Sequence, residues 1–187
     1  MRAFLALELP EELKYELAQI MKRLQADKIY GAKWVESQQL HVTVQFIGEV
    51  TDEQINLILE YINSKIVDLS SFKIENLKLE FIPQSEQARL MWIGCLMGQN
   101  NLHKFIKEFQ VFLHDKNIMV DTKPFRFHIT LSRFKEMLPE VFIDRAIRMQ
   151  LPSNSWKIRR MSLYESKLYP SGPQYRNIKS FQLQEEN

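Results

Sequence analysis

The order of elements predicted in the first half of this sequence starts again in the second half. Residues 3–9 are almost all apolar, which predicts a strand buried on both faces, and apolar residues then recur at helical spacing over 13–24. Residues 40–47 alternate with period two, Thr51 opens a capping-box sequence before a second helix, and residues 72–82 predict a third strand. The first half therefore has the order βαβαβ.

From Arg89 onwards the pattern is the same. The expected elements are a strand at 89–96, a helix at 102–113, a strand at 125–131, a weaker helix at 139–149 and a strand at 156–163. His41 and His128 are 87 residues apart, and the same offset takes Thr43 to Thr130. Because self-similarity at a fixed offset indicates a duplicated unit, we expect two similar lobes related by a pseudo-two-fold axis.

The fold class that this repeat predicts is α+β, with two pseudo-symmetric βαβαβ-like lobes. Their mainly antiparallel sheets are expected to flank a central groove, where ligands often bind. No stretch rich in Gly or Ser separates the halves. We therefore expect a single bilobal domain over residues 1–187, with lobe-like repeats at approximately 1–88 and 89–187.

Side-chain parity gives two more expectations about the strands. The apolar parity changes between Ile74 and Leu77, which predicts a bulge or a break in the third strand. Phe46 has the same parity as Val42 and Val44, so we expect its ring to pack in the core.

Composition excludes several classes of protein. With 187 residues, of which 45% are hydrophobic and 26% charged, the chain is long enough for a sizeable core and too apolar to be disordered. The single cysteine, Cys95, cannot form a disulfide within the chain, which favours a reducing compartment. The apolar start is interrupted by Glu8, and no later run approaches the ~18 apolar residues of a membrane helix. We expect a cytoplasmic protein with no membrane partner.

Charge gives a weaker indication. The formal net charge of +2 is no reason by itself to expect a nucleic acid. Lys and Arg are concentrated in the second half, so an anionic ligand would prefer that half, although most of these charges are expected to be solvated.

Two tetrapeptides share the pattern His-apolar-Thr-apolar. They are His41-Val42-Thr43-Val44 and His128-Ile129-Thr130-Leu131. On a strand, His and Thr two residues apart face the same side, and the apolar residues face the core. One copy would be weak evidence, because a lone histidine on a strand is more often structural, but two copies at equivalent positions of a repeat are much stronger. The pseudo-two-fold axis would bring the two pairs face to face.

Two opposed imidazoles suit a displacement at phosphorus. One, neutral, takes a proton from water while the other, protonated, gives one to the departing oxygen, and each such role typically contributes ~10²- to 10⁴-fold. The Thr hydroxyls can donate hydrogen bonds to the phosphoryl oxygens. We expect no metal, since the sequence has neither a His-Glu-x-x-His helix nor a group of cysteines. His103 and His114 are expected to be solvated, and Cys95 to pack in the core.

In these motifs the sequence resembles the RNA 2',3'-cyclic phosphodiesterases, also called 2'-5' RNA ligases, of the two-histidine phosphoesterase superfamily. The resemblance covers nearly the whole chain. It rests on Arg2-Ala3-Phe4-Leu5-Ala6-Leu7, Lys33-Trp34-Val35, Leu40-His41-Val42-Thr43-Val44-Gln45-Phe46-Ile47-Gly48-Glu49, Pro124-Phe125-Arg126-Phe127-His128-Ile129-Thr130-Leu131-Ser132-Arg133, Glu165-Ser166-Lys167-Leu168 and Gly172-Pro173-Gln174-Tyr175.

The resemblance implies hydrolysis of an RNA 2',3'-cyclic phosphate to a 2'-phosphomonoester without a cofactor, with reversible 2'-5' RNA ligation as a further activity. By position in the motifs, His41 would be the proton donor to the leaving 3' oxygen and His128 the proton acceptor from water. Thr43 and Thr130 would hold phosphoryl oxygens, and Arg133 would contact the phosphate with its fork of donors. The expected partners are RNA ends or nucleotide 2',3'-cyclic phosphates, and we expect a monomer.

Three points stay open at this stage. Counting by twos from His128 turns Arg133 toward the core, so either the strand ends or bulges near Ser132 or Arg133 reaches round from the edge. Trp34, Tyr169 and Tyr175 are candidate base-stacking residues that the sequence does not decide. The alternative functions are a non-catalytic RNA- or nucleotide-binding module and a phosphodiesterase for a small cyclic phosphate; the presence of both His-Thr pairs argues against pure binding.

Overall fold

The computed structural model describes residues 1–170 and 172–185 of the chain. In these residues the elements follow in the order β1 Arg2–Glu8, α1 Glu11–Gln25, β2 Lys33–Trp34, β3 His41–Glu49, α2 Asp52–Lys65, β4 Phe72–Ile82, β5 Leu90–Met97, α3 Leu102–Asp115, β6 Ile129–Arg133, α4 Glu140–Ile147, β7 Trp156–Ile158, β8 Arg160–Tyr169 and β9 Gly172–Gln182. Short 3-10 turns lie at Ser37–Gln39 and Ile66–Asp68.

The named strands form two sheets in which every pair of neighbours is antiparallel. One sheet has the order β3-β1-β8-β9, and the other has the order β2-β6-β5-β4-β7. Helices α1 to α4 pack against them in one apolar core that contains side chains of both sheets. The expected α+β class with mainly antiparallel sheets is confirmed.

The two halves of the chain exchange strands. β1 lies between β3 and β8 in the first sheet, and β5 lies between β6 and β4 in the second. The first half thus contributes β2 and β4 to the second sheet, the second half contributes β8 and β9 to the first, and the 87-residue offset relates β4 to β8. Because neither half completes a sheet alone, we propose that residues 1–187 form one bilobal domain.

Local sequence explains where the helices begin. In α1, Glu11 and Glu12 lie in the first turn, where carboxylates complement the positive end of the helix dipole. At α2 the expected capping box is present. The Thr51 hydroxyl accepts from the backbone N–H of Gln54 at 3.1 Å, and the Gln54 side chain accepts from the backbone N–H of Thr51 at 3.0 Å. In residues 1–170 and 172–185, no helix has the length and apolar character needed to span a membrane.

A bulge in β3 reverses its side-chain parity. Leu5 of β1 is opposite Gln45 and Ala6 is opposite Thr43, so Val44 is the extra residue in the ladder. Val44 and Gln45 are therefore both buried, and Phe46 turns to the open side with 60% of its surface exposed. The expectation that Phe46 packs in the core is wrong, because alternation by twos does not continue through a bulge.

The equivalent bulge occurs in β6, at the same offset in the repeat. Met91 of β5 is opposite Ser132 and Trp92 is opposite Thr130, which leaves Leu131 as the extra residue. This bulge turns Arg133 to the open side. Of the two alternatives raised by the sequence, the correct one is therefore that the strand ends or bulges near Ser132. The bulge predicted in β4 is also present, as a register shift between Glu75 and Lys78.

Other differences lie at the ends of strands. The strand expected at 125–131 begins only at Ile129, and residues 121–128 form neither helix nor strand. The short strand β2 and the long edge strand β9 were not expected. β2 has two residues and carries no periodicity, and the apolar side chains of β9 are too sparse to show alternation.

The two bulges also connect the halves of the chain. The Gln45 side-chain amide donates to the backbone carbonyl of Asp121 at 3.1 Å, in the segment that leads to His128. The Ser132 hydroxyl donates to the carbonyl of Lys33 at 3.2 Å, in the segment that leads to His41. Each bulge therefore anchors the chain that approaches the histidine of the other half.

Candidate active site

A groove of about 1070 Å³ is lined by residues of both sheets. All five side chains singled out from the sequence line it, namely His41, Thr43, His128, Thr130 and Arg133. β3 carries His41 and Thr43 to this groove, and Thr130 lies on β6 with His128 immediately before its first residue, Ile129. The structure thus brings together residues that are 87 positions apart in the chain.

His41 has both ring nitrogens in hydrogen bonds. Its Nδ1 is 2.7 Å from the backbone carbonyl of Gln39, which can only accept, so Nδ1 carries a proton. Its Nε2 is 3.1 Å from the hydroxyl of Thr43. In the neutral ring Nε2 is therefore the acceptor, and it is the nitrogen available for proton transfer.

His128 has the same tautomer for the same reason. Its Nδ1 is 2.8 Å from the backbone carbonyl of Arg126, so Nδ1–H donates there and Nε2 is left as the acceptor. Gln39 and Arg126 both lie two residues before their histidine. The repeat therefore fixes the orientation of both imidazoles with equivalent backbone carbonyls.

The surroundings of the two rings differ. The His41 ring lies against Phe4, with centroids 5.1 Å apart, and edge-on to Tyr175 at 5.3 Å. The His128 ring lies against Trp92 at 4.5 Å. Aromatic contacts of this kind restrict the rotation of an imidazole without competing for its nitrogens.

The pKa of each histidine is lowered from its usual value. For His41 burial is the main cause, and the positive charges of His128, Lys14 and Arg133 lower the pKa further, while the Gln39 carbonyl opposes the shift. For His128 burial again comes first, with the charges of Arg126 and Arg133 adding to it. Because a charge on His128 disfavours a charge on His41, the groove holds one imidazolium more readily than two.

Three aromatic residues in the groove lie outside the expected catalytic and phosphate-binding set, and of these three only Tyr175 was a stacking candidate from the sequence. Phe4 and Tyr175 contact His41, and Phe46 lies on the wall after the β3 bulge. Trp34 also lines the groove, whereas the lining does not include Tyr169. The sequence does not show that Phe4 lines the groove, because its strand is apolar on both faces. It does not show this for Phe46 because the bulge reverses the side-chain parity of β3.

The remaining candidates lie elsewhere. His103 and His114 are exposed on α3, as expected. Cys95 is half-buried, and burial raises the pKa of its thiol to about 12, so it is not a nucleophile in this environment. Among the described residues, no three His, Cys, Asp or Glu side chains are grouped as a metal site would require.

Two opposed His-Thr pairs on a groove between exchanged antiparallel sheets are the arrangement of a phosphoesterase with duplicated halves. The model of the LigT like Phosphoesterase family matches residues 7–92 and 97–175. The chain belongs to this family.

Curated relatives and solved structures agree with this assignment. The chain is 32% identical to the RNA 2',3'-cyclic phosphodiesterase of Methanocaldococcus jannaschii, over 97% of this chain and 100% of the relative. It is 27% identical to the RNA 2',3'-cyclic phosphodiesterase of Thermotoga maritima, over 98% and 96%. A crystal structure of a Thermus thermophilus protein has a TM-score of 0.81 at 25% identity and covers 100% of both chains. The apo form of E. coli LigT shares the fold, with a TM-score of 0.71 at 20% identity over 98% and 97%.

Proposed function

We propose that this chain hydrolyses the 2',3'-cyclic phosphate at RNA ends to a 2'-phosphomonoester. The observation that carries the proposal is the pair of imidazoles, His41 and His128, which line one groove and have Nε2 as the unprotonated nitrogen in both neutral rings. The names of its full-length relatives support the substrate, because the relatives are RNA 2',3'-cyclic phosphodiesterases.

In the proposed reaction, water attacks phosphorus and the bond from phosphorus to the 3' oxygen breaks. Nε2 of His128 takes the proton of the water, and Nε2 of His41 gives a proton to the 3' oxygen. The second proton is needed because an alkoxide is a poor leaving group at neutral pH. Since both Nδ1–H groups are already bonded to carbonyls, Nε2 is the only ring nitrogen that either histidine can use.

Charge on the phosphoryl oxygens is held by the other residues of the groove. Thr130 has a hydroxyl donor on the same side as His128, and the Thr43 hydroxyl, which donates to Nε2 of neutral His41, becomes available as a donor when that nitrogen is protonated. Arg133 has a permanent positive charge with up to five N–H donors. Donors already in place stabilise the charge that develops in the transition state, because they need no reorganisation when it forms.

The protonation states of His41 and His128 also fit the proposed reaction. The pKa of both histidines is lowered, so both rings are neutral near pH 7. A bound phosphate adds a negative charge between the rings and opposes this shift, which favours protonation of one of them. One neutral and one protonated imidazole is the state that the reaction requires.

The size of the groove favours an RNA end over a small cyclic phosphate. The groove has a volume of about 1070 Å³, at the upper end of the ~300–1,000 Å³ usual for small-ligand pockets. Its lining extends from Lys33 and Trp34 to the β8–β9 strands, well beyond the two histidines. We therefore propose that the nucleotides preceding the cyclic phosphate also contact the protein.

The test is an assay on RNA ending in a 2',3'-cyclic phosphate, in excess chelator, beside the cyclic mononucleotide alone. We expect release of the 2'-phosphomonoester, and a higher kcat/KM for the RNA. His103→Ala is the matched control, since it removes an exposed imidazole outside the groove. Binding without turnover of any cyclic phosphate would favour a binding module, and equal kcat/KM for both substrates would favour a small-molecule enzyme.

We further propose that the protein is a cytoplasmic monomer. The location is supported by the single cysteine, which cannot form a disulfide within the chain. The monomer is supported by a groove whose acid-base pair comes from one chain. Sedimentation of the purified protein tests the second statement.

A further inference from the structure

The wall behind His128 contains a carboxylate that the proposed reaction does not use. Glu80 lies on β4, and its side chain is only 11% exposed. One oxygen, Oε2, accepts from the Arg126 guanidinium at 2.6 Å and from the Trp92 indole N–H at 2.8 Å. A carboxylate withdrawn from water needs such donors, so these two bonds fix where Arg126 and Trp92 lie.

Both of these donors also contact His128. The Trp92 ring lies against the imidazole, with centroids 4.5 Å apart, and the backbone carbonyl of Arg126 accepts from Nδ1–H. The Arg126 guanidinium lies over the Trp92 ring, 5.0 Å from its centroid, so the two donors also contact each other. Glu80 is thus joined to the imidazole by two routes.

The other half of the molecule shows why such a support is needed. The Gln39 carbonyl that holds His41 belongs to a 3-10 turn, where backbone bonds such as Gln39 N–H to Glu36 at 2.8 Å fix its position. Arg126 lies in residues 121–128, which form neither helix nor strand. Its carbonyl has no regular ladder around it, and the Glu80 ion pair holds the residue instead.

We propose that Glu80 is a positioning residue for His128, acting through Arg126 and Trp92 to hold the imidazole with Nδ1 protonated and Nε2 toward the groove. The groove lining, within the described residues, includes neither Glu80 nor Trp92, so both act from behind the ring. Gly94 belongs to the same arrangement. A Cβ at Gly94 would lie 3.2 Å from Glu80 Oε2 and crowd the carboxylate.

Replacing the carboxylate changes both geometry and charge at His128. Glu80→Gln keeps the size of the side chain and one oxygen that can accept from both donors, but it removes the charge, so the ion pair with Arg126 becomes a weaker bond to a neutral acceptor. The charges that face His128 are Arg126 and Arg133, with His41 across the groove. Removal of the Glu80 charge leaves Arg126 unbalanced, which lowers the pKa of His128 further.

The experiment compares Glu80→Gln with Glu75→Gln, an exposed carboxylate on the same strand. The kinetic arm rests on the proposed function. We expect kcat for Glu80→Gln to fall about 10-fold or more, as for other small displacements of a reacting group, with KM within about 2-fold. The acid limb of kcat/KM should move to lower pH, whereas Glu75→Gln should match the wild type in all three measurements.

A second arm does not depend on activity. The ¹⁵N resonances of the His128 imidazole report the tautomer directly, and we expect the single Nδ1–H tautomer of the wild type to become a mixture in Glu80→Gln. Arg126→Met keeps the accepting carbonyl and removes the exposed guanidinium, so it should give the same mixture even if Glu80→Gln fails to fold.

The outcomes separate the two proposals. If His128 keeps one tautomer and an unchanged pH profile in both variants while only the melting temperature falls, Glu80 is structural and the inference is wrong. If the wild type fails to hydrolyse cyclic phosphates, the proposed function is wrong, and the tautomer measurement still decides the role of Glu80.

Discussion

The two halves of this molecule hold equivalent histidines in different surroundings. In both, a backbone carbonyl two residues earlier fixes the Nδ1–H tautomer. The His41 ring is then enclosed by the aromatic rings of Phe4 and Tyr175, whereas the His128 ring lies against Trp92, beside the ion pair of Glu80 and Arg126. The duplicated backbone gives the reacting nitrogen the same orientation in both halves. The side chains around each imidazole determine how polar its surroundings are.

The residues that follow the bulges differ in the same way. Phe46 and Arg133 occupy equivalent positions 87 residues apart, and both face the groove. One position therefore offers an exposed ring and the other a permanent positive charge. The acid-base pair is symmetric, but at this pair of equivalent positions only the second half supplies a charge.

The largest effect is expected from removing either imidazole. His41→Ala and His128→Ala should each lower kcat/KM by ~10²- to 10⁴-fold, because each removes one proton transfer. The two variants should differ in the pH dependence of the kcat/KM that remains. Loss of the proton acceptor His128 should abolish the acid limb of the bell, and loss of the proton donor His41 should abolish the alkaline limb. Measurements of kcat/KM from about pH 5 to about pH 9 test this.

The exposed histidine supplies the control for that experiment. His103→Ala should keep both limbs and the wild-type rate. If His41→Ala and His128→Ala lose the same limb, the assignment of distinct roles to the two halves is wrong.

The next largest effect should come from the residues after the bulges. Arg133→Met removes a charge-assisted contact to the phosphate, and we expect kcat/KM to fall by roughly 10- to 100-fold, since hydrogen bonds to charged groups contribute ~1.5–3 kcal/mol. Phe46→Leu at the equivalent position should change kcat/KM by less than about 3-fold, because no charge is lost. Steady-state kinetics on one substrate compare the two variants directly. Similar losses of kcat/KM for both would contradict the assignment of the phosphate contact to Arg133.

A smaller effect should distinguish the two bulges themselves. Gln45 donates to Asp121 and Phe46 and accepts from Gln110, whereas the Ser132 hydroxyl makes a single contact with Lys33. We expect Gln45→Met to lower the free energy of unfolding by about 2–3 kcal/mol and Ser132→Ala by about 1 kcal/mol. Urea titrations measure this, with the exposed hydroxyl variant Ser64→Ala as control. A larger loss at Ser132 would contradict the ranking.

Much of this arrangement could be predicted from the sequence, because the repeat is carried by patterns that local physics determines. The capping box at Thr51 and the alternation around His41 and His128 each specify an element without reference to the rest of the chain. The fixed offset between the halves then predicts that the two His-Thr pairs face one another, and all four side chains do line one groove.

What the sequence did not predict depends on contacts between distant segments. The bulge at Val44 is visible only from the register against β1, and it decides that Phe46 is exposed. The support of His128 depends on Glu80, which is 48 residues away in the chain and reaches it only because β4 joins the sheet of the other half. A single glutamate on a strand has no periodicity or spacing that would indicate such a role.

The smallest effect is expected in the pH dependence of stability. The folded-state pKa of both histidines lies below the unfolded value of 6.5, mainly because of burial, so below that pH the unfolded chain binds more protons than the folded one. The free energy of unfolding should therefore fall as the pH falls through 6.5 toward the lowered pKa values. His41→Gln should remove a larger share of this dependence than His128→Gln, because His41 is the more buried ring. Urea titrations at a series of pH values measure this dependence. A larger share for His128 would mean that the charges of Arg126 and Arg133 add more to the lowering of its pKa than the deeper burial of His41 adds to the lowering of the His41 pKa.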